Sequence, residues 1–469
     1  MKWWPTAMYC CTHAAVMANL ILDGENLGFH GFMVQLRDEN GSCMPGIEIG
    51  EIGPKINAES TNIGFSRFTH VRVPRFNLFA RAQQLTPDGK YIKPASKALS
   101  KFKYISMMQI RVEFVSASYD FLAKAATIAI RYSCVRKQGY KRNDRPEEGE
   151  NVVLDYQMQQ YRLFKALSLA YMFYWNARYI RDYLGRIQQG MMEGDEKASE
   201  EVPELHATLC GFKVFAAVTA QANMEELRRV RGGKPATGMA AYLVGKPLTL
   251  PKVGEAAFPG FRGPTGRKLL VELLQDRARR LAVKLEGAFT AAEQLQPGRT
   301  FEEALNCCAV SAWRAAEAHA FYAFAANNLS SLQAYVKDPS VGKALERLFE
   351  LMALQVISEK GADFAGVLGE PHFDLILKSI EELLAEIRPD AVALVDGFGY
   401  LDRHLHSTLG LYDGNVYEAI YEEAKKSPLN QSETMLGWEQ LAKIVDLGML
   451  RDGRKEQHAG VSVSSASRL

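Results

Sequence analysis

Arginines set among apolar residues are the side chains here with the clearest capacity for chemistry, because a guanidinium forks onto carboxylate or phosphate oxygens. Arg111 stands between Ile110 and Phe114 on an apolar helix face. A lone arginine in such a place snorkels to water, pairs with an acid such as Glu113 or Asp120, or grips a ligand. Arg131, Arg136 and Lys137 gather at the end of the same helical stretch, where the helix dipole favours cations with or without a ligand. Trp3-Trp4 beside Pro5 suits a core anchor or a surface on which a planar group stacks.

Other familiar machinery is missing. The sequence holds no GxGxxG after a strand, no GxxxxGK[ST], no GxSxG and no HExxH, so phosphate-loop, nucleophile-elbow and zincin chemistry have no support. His404 and His406 are two apart, as are Glu317 and His319. Such pairs do not share a helix face, so surface or hydrogen-bonded histidines are expected rather than metal ligands. The 7 cysteines are odd in number and without CxxC spacing, which points to neither a disulfide framework nor a zinc site and suits a reducing compartment.

The last three residues, Ser467-Arg468-Leu469, are a basic-for-basic variant of the C-terminal Ser-Lys-Leu address that a peroxisomal import receptor reads. The small polar stretch before them, Val461 to Ser467, suits an exposed peptide.

The elements that must position these residues are set by length and pattern. A chain of 469 residues with 47% hydrophobic content holds enough core for two to three domains. With 56 Lys+Arg against 54 Asp+Glu the net charge is +2, so no global field recruits nucleic acid or an anionic membrane, and an anionic ligand must be met locally. No apolar run reaches the ~18 residues of a spanning helix. The stretch Ala14 to Leu22 after Lys2 lacks a small-residue cleavage site and ends at Asp23-Gly24 like a turn, against a secretory signal.

Between Leu27 and Val73, short β-rich runs (Phe29 to Leu36, Ile47 to Ile52, Ile63 to Val73) alternate with Asn40-Gly41, Pro45-Gly46 and Gly53-Pro54. They predict a small antiparallel sheet piece with no evident partner layer. From about Ser100 the period turns helical: Met107 to Arg136, Val152 to Ile187, and a third helix from Pro203 to Arg229, stopped by Gly232-Gly233. Lys137 to Glu150 reads as a solvated surface turn. Gly232 to Pro264 is too rich in glycine and proline for helix and reads as a linker. Further helices are expected over Arg267 to Leu295, Glu302 to Val336, Val341 to Ser358, Phe373 to Ile387 and Val416 to Lys426.

Read in order, several stretches resemble the peroxisomal acyl-CoA oxidases, flavoproteins of the acyl-CoA dehydrogenase superfamily. They are Lys2-Trp3-Trp4-Pro5; Ile52-Gly53-Pro54-Lys55 with Arg72-Val73-Pro74-Arg75; Ile128 to Ser133 through Gln138; Leu154-Asp155-Tyr156-Gln157; Ile387-Arg388-Pro389-Asp390 through Asp396; and Tyr412-Asp413-Gly414-Asn415-Val416-Tyr417-Glu418 with Ser427-Pro428-Leu429-Asn430. The resemblance implies a mainly α fold with a partial antiparallel β-domain: residues 1–80 part of the middle β-domain, 81–233 the helical FAD-binding bundle, 234–265 a linker, 266–455 the C-terminal helical domain and 456–469 a tail with the peroxisomal signal. It further implies FAD as cofactor, fatty acyl-CoA as substrate, and a homo- or hetero-dimer. The reaction implied is acyl-CoA + O₂ to 2-trans-enoyl-CoA + H₂O₂.

Residue by residue, Arg136 and Gln138 resemble the Arg-x-Gln stretch that contacts the FAD pyrophosphate of the neighbouring subunit, and Gln157 the nearby flavin-contacting glutamine. Arg111, with Tyr104 before it, resembles the arginine of the helix lining the acyl-CoA channel. Trp4 and Thr6 fall in the segment beside the flavin, although Thr6-Ala7-Met8 replaces the family's glycine-rich continuation. Gly232 and Gly233 match the start of the Gly-Gly-His-Gly-Tyr segment, but Lys234 onward resembles a stretch well downstream. The Phe-Glu-Gly-Glu-Asn-Thr motif with the catalytic glutamate should lie between. It is absent, and neither Glu225, Glu226 nor Glu255 has a claim to its role. Family members begin with a helical domain and further strands, whereas this sequence opens within the β-domain. It is therefore expected to be inactive by itself: a truncated paralogue that dimerises with an intact oxidase, or an incomplete gene model joined at Gly233-Lys234.

Overall fold

In the computed structural model the apolar run that opens the sequence is a strand. It describes residues 2–6, 10–53, 63–80, 83–93, 105–141, 145–229, 258–295, 304, 307–432 and 437–438. Strand β2 (His13–Leu22) turns through Asp23 and Gly24, both at positive φ, into β3 (Glu25–Gln35). The turn places Ala14 opposite Val34 and Val16 opposite Phe32. A second sheet runs in the order β1 (Lys2–Thr6), β5 (Ile63–Phe68), β4 (Ile47–Glu51), all antiparallel.

The sequence shows no partner layer for these strands, yet each sheet piece partners the other. Val34, Leu36 and Ile47 are buried together, and Ala14, Val16, Phe32, Ile49 and Phe68 pack on them. Strand alternation sends Met17, Ile21, Phe29 and Met33 to the other face of the hairpin, where they stay exposed. Two short strands, β6 (Gln84–Leu85) and β7 (Tyr91–Ile92), pair beside it, and the Tyr91 hydroxyl meets His30 Nε2 at 3.0 Å.

The helical part begins with α1 (Ile105–Val135). A hairpin of β8 (Lys137–Tyr140) and β9 (Glu150–Val152) follows where a plain surface turn is expected. Then come α2 (Gln157–Glu193), a short α3 (Glu196–Glu200) capped by Asp195, and α4 (Val202–Arg229). Beyond the residues 230–257 outside the described set are α5 (Gly263–Leu295), α6 (Ala309–Tyr335), α7 (Pro339–Glu359), α8 (Glu370–Ile387), α9 (Ala391–Asp396), α10 (Asp402–Leu405) and α11 (Val416–Lys425). The described part is thus mainly α with small antiparallel sheets. The chain packs as two units, residues 1–112 with 180–209, and residues 113–179 with 210–469.

The core of the second unit is aromatic. Phe324 of α6 meets Phe212 and Phe215 of α4 at ring-centroid distances of 4.3 and 4.8 Å, and Phe173 of α2 edge-on at 5.6 Å. Offset and edge-to-face rings at these distances add to the burial that drives helix packing. Asn176, fully buried, donates to the Phe324 carbonyl at 3.0 Å, so its amide is not left unpaid. Glu350 of α7, also buried, is neutralised by Arg262 at 2.8 Å and Arg267 at 2.7 Å and ties α7 to the start of α5. Among the described residues no helix is long and apolar enough to cross a membrane.

Candidate cofactor and substrate site

The junction from α1 through the β8/β9 hairpin into α2 brings together Arg136, Gln138 and Gln157. Arg136 follows the last turn of α1, its N–H donating to the Tyr132 carbonyl at 2.9 Å and its own carbonyl accepting from Val153 at 2.9 Å. The half-buried guanidinium lies over the Tyr132 ring, 5.7 Å from the centroid, with Nη1 3.4 Å from the hydroxyl. It enters no ion pair among the described residues. Gln138, exposed on β8, is held through its backbone: the Tyr156 hydroxyl donates to its carbonyl at 2.8 Å. Gly139 has φ +79°, and a Cβ there would come within 2.7 Å of that hydroxyl, so glycine lets Tyr156 close on the strand. Gln157 is the first residue of α2 and is exposed.

The other motif segments act as buttresses for this junction. Arg131 is 6% exposed. Its Nε and Nη2 donate to Asp396 Oδ1 at 2.9 and 2.7 Å, and its Nη1 to the Gly410 carbonyl at 2.7 Å and Asp402 Oδ1 at 3.2 Å. The Tyr412 ring covers it at 5.2 Å. Arg388 pairs with Asp155, directly before the Tyr156-Gln157 step, at 2.6 Å. Gly410 and Gly414 lie so close to α1 that a Cβ at either would come within 2.9 Å of Ile128 or 3.2 Å of Val135. Tyr417 shares the neighbourhood of Tyr132 and Arg136: burial, then the Tyr132 side chain, raises its pKa.

These contacts correct the sequence reading of a three-member basic cluster. Arg131 is a neutralised, buried strut, leaving Arg136 and Lys137 as the cations of the junction. Nothing local to residue 131 signals this, because its acids lie 265 and 271 positions away.

Arg111, on α1, is half-buried, and its Nη1 is buried with no hydrogen-bond partner among the described residues. It lies near His206, whose pKa is lowered by burial and then by the Arg111 charge. Trp4 and Thr6 lie on β1, where Thr6 pairs with Ile63 across an irregular register. Tyr104, Gly232, Gly233, Ser467, Arg468 and Leu469 lie outside the described residues, as does Glu255. Glu225 cannot serve as a base: its two oxygens meet Arg228 Nε at 2.7 Å and Nη2 at 3.0 Å. Glu226 faces Arg162 at 3.9 Å. Glu317 is bound by Arg277 at 3.0 Å and Lys360 at 2.7 Å, and no group of three or more metal-binding side chains occurs among the described residues.

Along this junction lie one guanidinium that enters no ion pair among the described residues, two exposed glutamines and the N-terminus of a long helix, donor types of the kind that suit a diphosphate such as that of FAD.

Comparison with known proteins places this architecture among flavin-linked acyl-CoA enzymes. The family model for the acyl-CoA oxidase C-alpha1 domain matches residues 104–240, and that for acyl-CoA oxidase matches residues 267–445. Peroxisomal acyl-coenzyme A oxidase 1 of Cavia porcellus is 35% identical over 92% of this chain and 72% of its own length. The Homo sapiens protein of that name is 33% identical over 95% and 73%. Among solved structures, Arabidopsis thaliana acyl-CoA oxidase 1 superposes with a TM-score of 0.80 at 28% identity, covering 93% of this chain and 72% of that one. Caenorhabditis elegans acyl-CoA oxidase-2, solved with FAD, ascaroside-CoA and ATP, gives 0.79 at 28% identity, covering 99% and 72%. The chain belongs to the acyl-CoA oxidase family.

Proposed function

We propose that the chain serves peroxisomal fatty acid β-oxidation as an FAD-dependent member of this family, with Arg136, Gln138 and Gln157 holding the pyrophosphate region of the flavin. In this reading residues 81–233 form the flavin-binding bundle. The single observation that carries it is the junction itself: an arginine with no carboxylate partner among the described residues, braced over Tyr132, on a hairpin fixed by Tyr156 and supported by the Arg131 strut.

When bound, FAD supplies the acceptor for a hydride from the β-carbon of a fatty acyl-CoA and passes the electrons to O₂, so that acyl-CoA and O₂ become 2-trans-enoyl-CoA and H₂O₂. The protein's part is placement and proton transfer. Arg111 has an unpaired, buried Nη1 for an oxygen of the CoA portion. Removal of the α-proton needs a desolvated carboxylate held at a polarised thioester. The family's Phe-Glu-Gly-Glu-Asn-Thr segment is not in the sequence, and among the described residues Glu225 is held by Arg228. The chain alone is therefore deficient in the chemical step, by about 10² to 10⁴ in rate. It works as one half of a dimer with an intact oxidase, offering Arg136 and Gln138 to the flavin of that subunit. Ser467-Arg468-Leu469 is its address for the import receptor.

Co-expression with an intact oxidase from the same cell tests this. A stoichiometric complex that carries flavin, and loses it with Arg136→Glu, is the expected result. A strictly monomeric, flavin-free product would sink the reading.

A further inference from the structure

The second unit contains a cleft of about 910 Å³ whose walls are Tyr119 of α1, Tyr171, Tyr174 and Trp175 of α2, the Tyr335–Leu345 stretch leading into α7, and Ala393 to Phe398 of and after α9. This is the size of a ligand pocket rather than a packing defect. None of its lining residues belongs to the set assigned above to flavin or acyl-CoA.

Its aromatic walls do not form a slot for a flat ring. Tyr174 and Trp175 are edge-on at 72°, Tyr119 and Phe398 at 64°, and Tyr119 and Tyr174 tilted at 59°. The parallel pair, Trp175 and Tyr335 at 5.9 Å and 5°, is closed by its own contact, and Arg178 covers Tyr335 at 4.0 Å. A purine or flavin needs a parallel face left open, whereas a flexible apolar chain fills an irregular aromatic wall.

The charged groups of the cleft are mostly spoken for. Asp338 caps α7, accepting from Ser340 at 2.8 Å and Val341 at 3.0 Å. Arg347 pairs with Glu386 at 3.0 Å and Asp390 at 3.4 Å. Lys337 donates to the Ala334 carbonyl at 2.6 Å. That leaves Lys343, exposed and in no ion pair among the described residues, with Lys337 keeping its full charge beside the same cleft. Trp175 is 7% exposed, and its indole N–H meets no acceptor among the described residues. An unpaired cation at the rim of a largely apolar cleft, with a buried donor on one of its lining residues, complements an acceptor-rich anionic head.

We infer that this cleft binds a flexible amphiphile with an anionic head, of the free fatty acid class, with its chain against Tyr119, Tyr171 and Phe398 and its carboxylate toward Lys343 and the Trp175 N–H. The site is separate from the flavin junction, so its occupancy reports on the fatty acid pool without competing for the pyrophosphate residues.

Calorimetric titration of the full chain with dodecanoate, below its micellar concentration, tests the proposal. The expected result is saturable binding that Ala393→Trp, at an exposed position of the wall, abolishes, and that Lys343→Glu weakens about tenfold or more. Dodecanol binds more weakly by a similar factor, and adenosine monophosphate does not displace dodecanoate. Circular dichroism verifies that both variants fold. Absence of saturable binding, binding that both variants leave intact, or displacement by adenosine monophosphate would each overturn the inference.

Discussion

Arg131 shows how one residue holds the proposed flavin junction in place. Its guanidinium makes four contacts with Asp396, Asp402 and the Gly410 carbonyl, and removing one partner of such a buried set leaves the others uncompensated. Arg131→Leu is expected to cost about 3 kcal/mol, read as a lowered denaturant midpoint. Arg131→Lys recovers little, because an ammonium cannot fork between the same oxygens. A loss under about 1 kcal/mol would show that the strut is dispensable. His319 offers a second residue-scale test. Burial pushes its pKa down to about 4 from an ordinary 6.5. The folded state thus binds fewer protons than the unfolded state between these values, so the contribution of His319 is present in full above pH 6.5 and is lost as pH falls toward 4. Equilibrium unfolding at pH 7 and pH 4.5 is expected to show a smaller acid loss in His319→Gln than in the wild type. Equal losses would remove His319 from the account.

At the scale of elements, the hairpin between α1 and α2 depends on the Tyr156 hydroxyl, which donates to the Gln138 carbonyl and lies 3.3 Å from Asn151 Nδ2. Tyr156→Phe is expected to cost about 1 kcal/mol and to quicken amide exchange over residues 137–152 while leaving α7 and α8 protected. Uniform quickening would mean that the hairpin has no separate stability. The sequence makes the long elements legible: the three-and-four spacing of Met158, Tyr161, Phe164, Leu167, Tyr171 and Tyr174 gives α2, and Pro203 and the arginines at 228 and 229 bracket α4. It hides β2, since a nearly unbroken apolar run carries no period and only pairing with β3 makes it a strand. The hairpin β8/β9 is hidden for a like reason, its strands being short and polar, with β8 exposed throughout. The proposed site residues Arg136, Gln138 and Gln157 are legible through family resemblance. Their supports, Tyr156 folding back across 18 residues and Arg131 reaching across 265, are tertiary and leave no local trace.

At the scale of the whole molecule, membership of the acyl-CoA oxidase family sits beside the proposal that this chain lacks the family's base. Helical packing around Phe173, Phe212, Phe215 and Phe324 does not involve the base segment, so the fold can be kept whether or not the chemistry is. Delivery is testable at the same scale: a fluorescent protein carrying residues 456–469 at its C-terminus is expected to collect in peroxisomes and to stay cytosolic when Ser467-Arg468-Leu469 is removed. Equal distribution of both would end the targeting reading.

The most direct test of the central claim is stopped-flow absorbance of the flavin-loaded chain mixed anaerobically with a fatty acyl-CoA, beside an intact oxidase under the same conditions. Flavin bleaching slower by about 10² or more is the expected result. Bleaching at the rate of the intact enzyme would contradict the claim that this chain lacks the base.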